Sequence, residues 1–282
     1  MTAENSNSRE CVAEDKQYLF IIRHGDRWDY ANPEWKKLPS SRTGDSPLSS
    51  LGHRQAQEVG KYLDSWMDER GMTSDDITWL SSPFLRCLQT SNEALNAFEK
   101  VNLSHLPINP EYSIFEWDGH GGEWHKDLPT LDERKHYFPR LNTSYESNFV
   151  PELPEPRSAF FDRCQRTADT FHERHSFQNN KNKVFVMVSH AAGCIALAKA
   201  FTQLNLNDIT PAAPCSIYGL ERSRETNVWS MAAHDDLQGH NGYTGHLAEM
   251  GSSTVPWSNF GDGTTKFYTG PPTSRFAPKE ED

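Results

Sequence analysis

The sequence FIIRHGDR, residues 20–27, takes an apolar run directly into two arginines, a histidine and an aspartate. The longer run KQYLFII, residues 16–22, is rich in β-forming residues, which is typical of a strand buried on both faces. In open α/β sheets, ligands bind just beyond the carboxyl ends of the strands. The sequence therefore predicts that Arg23, His24 and Arg27 lie at a ligand site on one edge of a sheet.

The rest of the chain alternates strand and helix patterns. The expected elements are a helix from Ser49 or Ser50 to Gly71, strands at 77–82 and 183–189, helices at 83–100, 157–175 and 190–204, and a hairpin of 215–223 with 227–233. This order predicts an α/β three-layer sandwich, with a mostly parallel central sheet and helices on both of its faces. Residues 107–156 follow neither pattern and are dense in Gly, Pro, His and Trp, so we expect a long loop insertion over the active site.

One domain is expected to account for most of the chain. We expect it to span residues 17–270, between a disordered N-terminal tail at 1–16 and a Pro-rich, acidic tail at 271–282. A chain of 282 residues is long enough to bury a sizeable core in such a domain.

Charge and cysteine content narrow the classes of function. The formal net charge is −11, the opposite of the balance that nucleic-acid-binding domains carry, so no direct nucleic-acid binding is expected. The five cysteines form no CxxC pair, which indicates a reducing compartment. The sequence shows no secretory leader and no apolar run of the ~18 residues that a membrane span needs. We therefore expect a cytoplasmic protein that does not bind membranes, with the nucleus as the alternative location.

Two later strands also end in residues that suit a phosphate. Arg86 lies just beyond the second predicted strand, and His190 directly follows the third. Forked guanidiniums fit phosphate oxygens, and a neutral imidazole can attack phosphorus to form a phosphohistidine. Asp26 and Glu116 are the nearby acids that can protonate the leaving oxygen, and this chemistry needs neither a metal nor another cofactor. The pattern predicts a phosphoryl-transfer site.

Four segments, in order along the chain, resemble signature segments of the histidine phosphatase superfamily, which has the phosphoglycerate mutase-like fold. They are RHGDR at 23–27, DSPLSSLGHRQAQEVG at 45–60, SSPFLRCLQT at 81–90 and VMVSHAAG at 186–193. The resemblance covers roughly residues 17–235 and is strongest to the eukaryotic branch that holds the Sts/UBASH3 proteins and the ecdysteroid-phosphate phosphatases. The segments SHAAGCIALAKAF and 245–261 also resemble the phosphatase-like small subunit of the RNA polymerase III factor TFIIIC.

The resemblance implies a role for each residue of the predicted site. His24 would be the nucleophile, and Glu116 the general acid. The residues that would bind the phosphoryl group are Arg23, Arg27, Arg86 and His190, of which His190 is also counted as catalytic. The implied activity is that of a metal-independent phosphomonoester hydrolase. Its partner would be a small phosphorylated substrate or a phosphotyrosine protein.

Two other functions stay open. A phosphoglycerate-mutase-type phosphotransferase would share the nucleophile, although mutases usually carry Ser or Thr where Arg27 stands. A non-catalytic phosphatase-like interaction module would keep the fold with an idle pocket. The chain also departs from its relatives at two places. Acid phosphatases have Asp where Ala191 follows His190, and many relatives read Gly-Glu-Ser where this chain has Glu155 to Ser158.

Aromatic and histidine-rich residues around these segments leave two further questions. Four tryptophans either line an aromatic substrate cleft or pack the long loop, and they are Trp28, Trp35, Trp117 and Trp124. The segment HGGEWH at 120–125 offers two histidines and a glutamate, but it lacks the HExxH spacing of a zinc site.

Overall fold

The computed structural model describes residues 16–38, 43–118, 128–178, 180–232 and 243–244. Within them, the strands are β1 Lys16–Arg23, β2 Ile77–Ser81, β3 Asn109–Pro110, β4 Val184–Ser189, β5 Ile217–Ser223, β6 Ser230–Met231 and β7 Tyr243–Thr244. The helices are α1 Trp28–Ala31, α2 Ser50–Asp68, α3 Leu85–Asn96, α4 Leu131–Lys135, α5 Arg157–Arg174 and α6 Ala191–Thr202. Short 3₁₀ helices occupy Pro33–Lys37, Thr43–Asp45, Ser74–Asp76, Tyr112–Ile114 and Leu206–Asp208.

The first strand lies near the centre of the sheet. The strand order is β3–β2–β4–β1–β5–β6, and β7 also pairs with β5. Strands β3, β2, β4 and β1 run parallel, whereas β5 is antiparallel to β1. The register places Arg23 beside Ser189, and Ser81 beside Val188. Because β1, β2 and β4 end at the same edge, the residues that follow them meet there.

Strand β1 is buried on both faces, as its apolar run predicts. Phe20 and Ile22 share one core with residues of α2 and α3, and Phe20 packs edge-on against Trp66 of α2. Leu19 and Ile21 belong to a second core with residues of α5 and α6. Helices therefore cover both faces of the sheet, and the α/β three-layer sandwich with a mostly parallel sheet is confirmed.

The helix predicted at 83–100 is shorter in the structure. It begins at Leu85 because the backbone of Phe84 is still extended, with φ −62° and ψ 143°. It ends at Asn96, where the chain turns toward Asp64 of α2, whose carboxylate accepts the backbone N–H groups of the next segment, Glu99, Lys100 and Val101. The predicted hairpin is present as β5 and β6, while the short helices α1 and α4 have no pattern strong enough to predict them.

The segment 107–156 is mostly irregular, as predicted, although it contains β3 and α4. Its buried Glu111 carboxylate accepts bonds from the hydroxyls of Tyr145 and Ser147. The domain limits predicted at 17–270 and the two tails stay predictions, except that Lys16 is the first residue of β1, where it pairs with Ser223. In the described part of the chain, no helix has both the length and the apolar character that crossing a bilayer requires.

Candidate active site

Three strand ends bring the predicted residues together at one edge of the sheet. His24 follows β1 and donates its backbone N–H to Ser189 O at 2.9 Å, while Ser82 follows β2 and donates to Val188 O at 2.9 Å. His190 follows β4 and is the N-cap of α6. Gly25 packs so closely on the start of α2 that a Cβ there would lie 2.6 Å from Gly52 O. This close approach holds the turn after β1 against the helix.

The His24 side chain is oriented for attack through Nε2. Its Nδ1 lies 2.8 Å from Gly25 O, and a carbonyl only accepts, so Nδ1 carries the proton and Nε2 carries the lone pair. Burial lowers the pKa of His24 well below 6.5, and the charges of Arg86 and Arg23 lower it further. The imidazole is therefore neutral at physiological pH, which is the protonation state that a nucleophile needs.

His190 lies beside His24, with ring centroids 5.4 Å apart. Its Nδ1 is 3.0 Å from Arg86 Nη2, and its Nε2 is 2.8 Å from Ser82 Oγ. Burial lowers the pKa of His190 to about 4, and the opposing effect of Glu116 does not restore it. Nδ1 also lies 3.2 Å from Glu116 Oε2, so this nitrogen accepts from Arg86 when it carries no proton and donates to Glu116 when it carries one.

Glu116 joins this cluster from the long insertion. Its Oε2 lies 3.2 Å from both Arg86 Nη2 and His190 Nδ1. Burial raises the pKa of Glu116, but His190 and the neighbouring guanidiniums outweigh this and hold it at about 2. The side chain is 21% exposed, so the carboxylate is the part of this cluster that solvent and a leaving group can reach.

The three predicted arginines are held in different ways. Arg86 is 1% exposed and donates from Nη1 to Gly44 O at 3.1 Å, whereas Arg23 donates from Nη1 to Ala212 O at 2.9 Å. Arg27 binds the buried Asp29 through two parallel bonds of 2.8 and 2.9 Å. Within the described residues, Arg86 Nε–H has no hydrogen-bond acceptor. The three guanidiniums lie at the same site, as predicted. Two of the N–H groups of Arg27, however, already donate to the Asp29 carboxylate.

Asp26, the other acid that the sequence offers, has a structural role. Its Oδ2 accepts the Ser49 hydroxyl at 2.7 Å, and the Ser49 oxygen in turn caps α2 by accepting Gly52 N–H at 3.0 Å. Its backbone N–H donates to the Gln55 amide oxygen at 2.9 Å. These bonds tie the turn after β1 to α2, which favours Glu116 over Asp26 as the acid.

The donor atoms of His24, Glu116 and His190 lie within 4.8 Å of one another, a set that could ligate a transition metal. Arg86, however, contacts both Glu116 and His190 at the centre of this set. A guanidinium in that place repels a cation and attracts an anion. That the site works without a metal stays a prediction, and the charge of Arg86 supports it. The segment HGGEWH at 120–125 lies outside the described residues.

The tryptophans divide between packing and a cleft. Trp117 stacks on Phe160 with centroids 5.3 Å apart and donates from Nε1 to Glu155 O, so it packs the core. Trp35 lines a surface cleft of about 930 Å³ together with Tyr137. Trp124 lies outside the described residues. Of the four tryptophans, Trp35 therefore lines a cleft and Trp117 has a packing role.

Three residues support the site, and the sequence patterns pointed only to the position of Ser82, directly after the second strand. Ser82 holds His190, Asp29 holds Arg27, and Glu155 holds Arg163 through its carboxylate. Arg163 in turn donates to Phe115 O at 3.0 Å, the carbonyl just before Glu116. Glu155 stands at the start of the turn where this chain departs from Gly-Glu-Ser. The strand-end rule placed Ser82 at this edge of the sheet, whereas the pairs Asp29–Arg27 and Glu155–Arg163 are visible only in three dimensions.

The fold and the paired histidines in an arginine-rich pocket are features of the histidine phosphatase family. The chain belongs to this family: the model of the histidine phosphatase superfamily (branch 1) matches residues 19–235.

Two curated relatives are similar over much of the chain. Ubiquitin-associated and SH3 domain-containing protein B of Mus musculus is 24% identical over 274 residues, covering 82% of this chain and 40% of that protein. Ecdysteroid-phosphate phosphatase of Drosophila melanogaster is 22% identical over 212 residues, covering 66% of this chain and 26% of that protein. The chain thus spans about two fifths or less of the length of these relatives, and the similarity to these two proteins that the motifs indicated is confirmed.

A solved structure shares the fold. The ecdysone phosphate phosphatase of Bombix mori, in complex with tungstate, superposes with a TM-score of 0.55 at 18% identity, covering 85% of this chain and 93% of that one. At this identity the match shows the phosphoglycerate mutase-like fold. The further resemblance to the TFIIIC subunit stays a prediction, and its segment 245–261 lies outside the described residues.

Proposed function

We propose that this protein is a phosphomonoester hydrolase that acts through a phosphohistidine intermediate on His24. The observation that carries the proposal is a neutral, buried imidazole facing a cationic pocket with an unsatisfied donor. Among the described residues, Arg86 Nε–H lacks an acceptor although Arg86 is 1% exposed. A buried donor left without a partner costs about 1–3 kcal/mol, and an oxygen of a bound phosphoryl group would remove that cost.

The proposed reaction has two steps. In the first, the His24 Nε2 lone pair forms a bond to phosphorus, the bond from phosphorus to the ester oxygen breaks, and Glu116 gives a proton to the departing oxygen. In the second, water attacks the phosphorus of phospho-His24, Glu116 takes a proton from that water, and Nε2 leaves with the electron pair. The product is inorganic phosphate, and both His24 and Glu116 return to their starting states.

The surrounding charges would stabilise both steps. The phosphoryl oxygens gain negative charge in the transition state, and donors fixed in advance cost no reorganisation at that moment. The groups proposed to bind these oxygens are Arg23, Arg27, Arg86 and His190. The Nδ1 atom of His190 faces Arg86 and Glu116, and its Nε2 faces Ser82, so the ring would need to turn to donate a hydrogen bond to the substrate.

The substrate is proposed to be a small phosphorylated molecule or a phosphotyrosine protein. Support comes from the similarity to other proteins, one of which is an ecdysteroid-phosphate phosphatase.

We also propose a reducing cytoplasmic location, with the nucleus as the alternative. The four cysteines in the described residues are buried and unbridged, which supports a reducing compartment, and fractionation of cells that express the tagged chain would test the location.

A panel of phosphomonoesters tests the proposed activity. Wild-type protein should release inorganic phosphate from p-nitrophenyl phosphate and from at least one aryl or alkyl phosphate, and His24→Ala should lose this activity by at least about 1,000-fold. His53→Ala, which removes an imidazole on α2 that bonds to Glu93, is the matched control and should keep full activity. Turnover that survives in His24→Ala would rule the mechanism out.

Product analysis and copurification distinguish hydrolysis from the two rival functions. With 3-phosphoglycerate and a bisphosphate primer, a mutase forms the isomeric phosphoglycerate, whereas a hydrolase releases phosphate. A chain that hydrolyses no ester but copurifies as a stable complex would be an interaction module. Formation of the isomer without phosphate release would contradict the proposal.

A further inference from the structure

The 3₁₀ turn Thr43–Asp45 contacts Arg86 at two places, the tip of its side chain and the backbone next to it. Gly44 O accepts from the Arg86 guanidinium at Nη1, 3.1 Å away. Asp45 Oδ1 accepts the backbone N–H of Leu85 at 2.7 Å. Leu85 is the first residue of α3 and directly precedes Arg86. One short turn therefore fixes both the backbone and the tip of this side chain.

The bond to Leu85 supplies a cap that α3 otherwise lacks. The N-cap residue of α3, Phe84, has no side-chain cap hydrogen bond. Asp45 provides the acceptor instead, from a segment about forty residues earlier, and it also places a negative charge at the positive end of the helix. The start of α3, and with it Arg86, thus depends on a residue outside the helix.

The second carboxylate oxygen of Asp45 ties this turn to the long insertion. Oδ2 accepts from Arg134 Nη2 of α4 at 2.5 Å, and both side chains are 4% exposed. Arg134 lies within the segment 107–156, which also contributes Glu116. One buried carboxylate therefore links the insertion, the 3₁₀ turn and the helix that carries Arg86.

We propose that Asp45 is a positioning residue that sets the phosphoryl affinity of the site through Arg86, with Arg134 as its anchor in the insertion. This inference rests on the proposed function, because it needs Arg86 to bind the phosphoryl group. The guanidinium of Arg86 reaches Gly44 with one nitrogen and His190 with another. If the turn shifted, Arg86 would lose its bond to Gly44, and its guanidinium could then rotate away from His190.

Asp45→Asn is the primary test, because asparagine keeps the size and one acceptor but loses the charge that holds Arg134. Asp64→Asn is the matched control: Asp64 is also 4% exposed and binds backbone N–H groups, but at the end of α3 away from the site. The readouts are the tungstate dissociation constant by calorimetry and the melting temperature. We expect Asp45→Asn to weaken tungstate binding about 10-fold. Asp64→Asn should lower the melting temperature and leave the affinity within about 2-fold.

A double-mutant cycle separates positioning from a general loss of structure. If Asp45 acts through Arg86, then Asp45→Asn should cause no further loss of tungstate affinity in an Arg86→Gln background. An additional 10-fold loss in that background would overturn the inference. Arg134→Gln serves as the second variant should Asp45→Asn fail to fold, and it should also weaken tungstate binding by several-fold.

The outcomes also separate this inference from the proposed activity. An Asp45→Asn protein that folds and binds tungstate like wild type would overturn the positioning role while leaving hydrolysis intact. Wild-type protein that binds tungstate but hydrolyses no phosphomonoester would overturn the activity and leave the positioning role standing. Wild-type protein that binds no tungstate would overturn the positioning role, whatever the hydrolysis assay shows.

Discussion

Replacement of Glu116 by glutamine tests the least obvious part of the proposed mechanism, the source of the proton for the leaving group. His190 and the neighbouring guanidiniums hold the pKa of Glu116 at about 2, although burial raises it. Near pH 6, the carboxylate would then be almost entirely ionised. A general acid with so little of its active form would be a poor catalyst, so substrate binding must raise its pKa.

The charge of the substrate is large enough to do so. To hold a proton near pH 6, the pKa of Glu116 must rise to about 6, which corresponds to a free-energy change on the order of 5 kcal/mol. A phosphoryl dianion about 4 Å from the carboxylate contributes roughly 4 kcal/mol for each of its charges at an effective dielectric constant of 20. The total of roughly 8 kcal/mol exceeds the requirement. The dianion would also offset the charge of Arg86, which, after His190, is one of the groups that lower the pKa of Glu116.

Glutamine keeps the shape of Glu116 but cannot donate a catalytic proton. We expect Glu116→Gln to lower kcat/KM for a simple alkyl phosphate by about 10² to 10⁴, the usual contribution of a general acid. The loss for p-nitrophenyl phosphate should be much smaller, because p-nitrophenolate leaves well without protonation. Steady-state kinetics with both esters measure the difference.

Asp26→Asn is the control for this prediction. It disturbs the cap of α2 through Ser49, so any loss of activity should be the same for both esters. Equal losses for both esters in Glu116→Gln would refute the role of general acid and leave only a contribution to binding. A dependence on the leaving group in Asp26→Asn would assign the proton to Asp26 instead.

Three further measurements test other parts of the account. Because burial and nearby cations hold the pKa of His24 well below 6.5, its imidazole NMR signal, assigned by comparison with His24→Ala, should stay in the neutral position from pH 8 to pH 5; a midpoint near 6.5 would contradict this. Exhaustive EDTA treatment should leave phosphate release unchanged, and a loss restored by Zn²⁺ would show a metal at the site. Gly60→Ala would place a Cβ 2.1 Å from Ala94 O and should cost about 1–3 kcal/mol of unfolding free energy in urea titrations; an unchanged stability would contradict the close packing of α2 on α3.

The convergence of the site could be predicted from the sequence because it follows from topology. Parallel strands that end in Arg23, Ser81 and Ser189 lie side by side, so the residues just after them must meet. Period and composition are enough to identify such strands, because a strand buried on both faces is apolar throughout. The placement of His24 and His190 follows from this rule alone.

The partners of the charged residues could not be predicted in the same way. Arg27 binds Asp29 two residues later, although nothing in the local pattern distinguishes that bond from a contact with substrate. Asp45 caps a helix about forty residues further along the chain, and Asp26 holds Ser49. These contacts depend on how turns fold back on helices, and hydrophobic periodicity carries no information about that.

The most direct test of the central claim is covalent trapping of the intermediate. Wild-type protein mixed briefly with a ³²P-labelled phosphomonoester and quenched in alkali should carry label that is stable to alkali and lost in acid, as expected of a phosphohistidine. Digestion should place the label on the peptide that contains His24, and His24→Ala should carry none. Label on any other residue, or full hydrolysis by His24→Ala, would contradict the account.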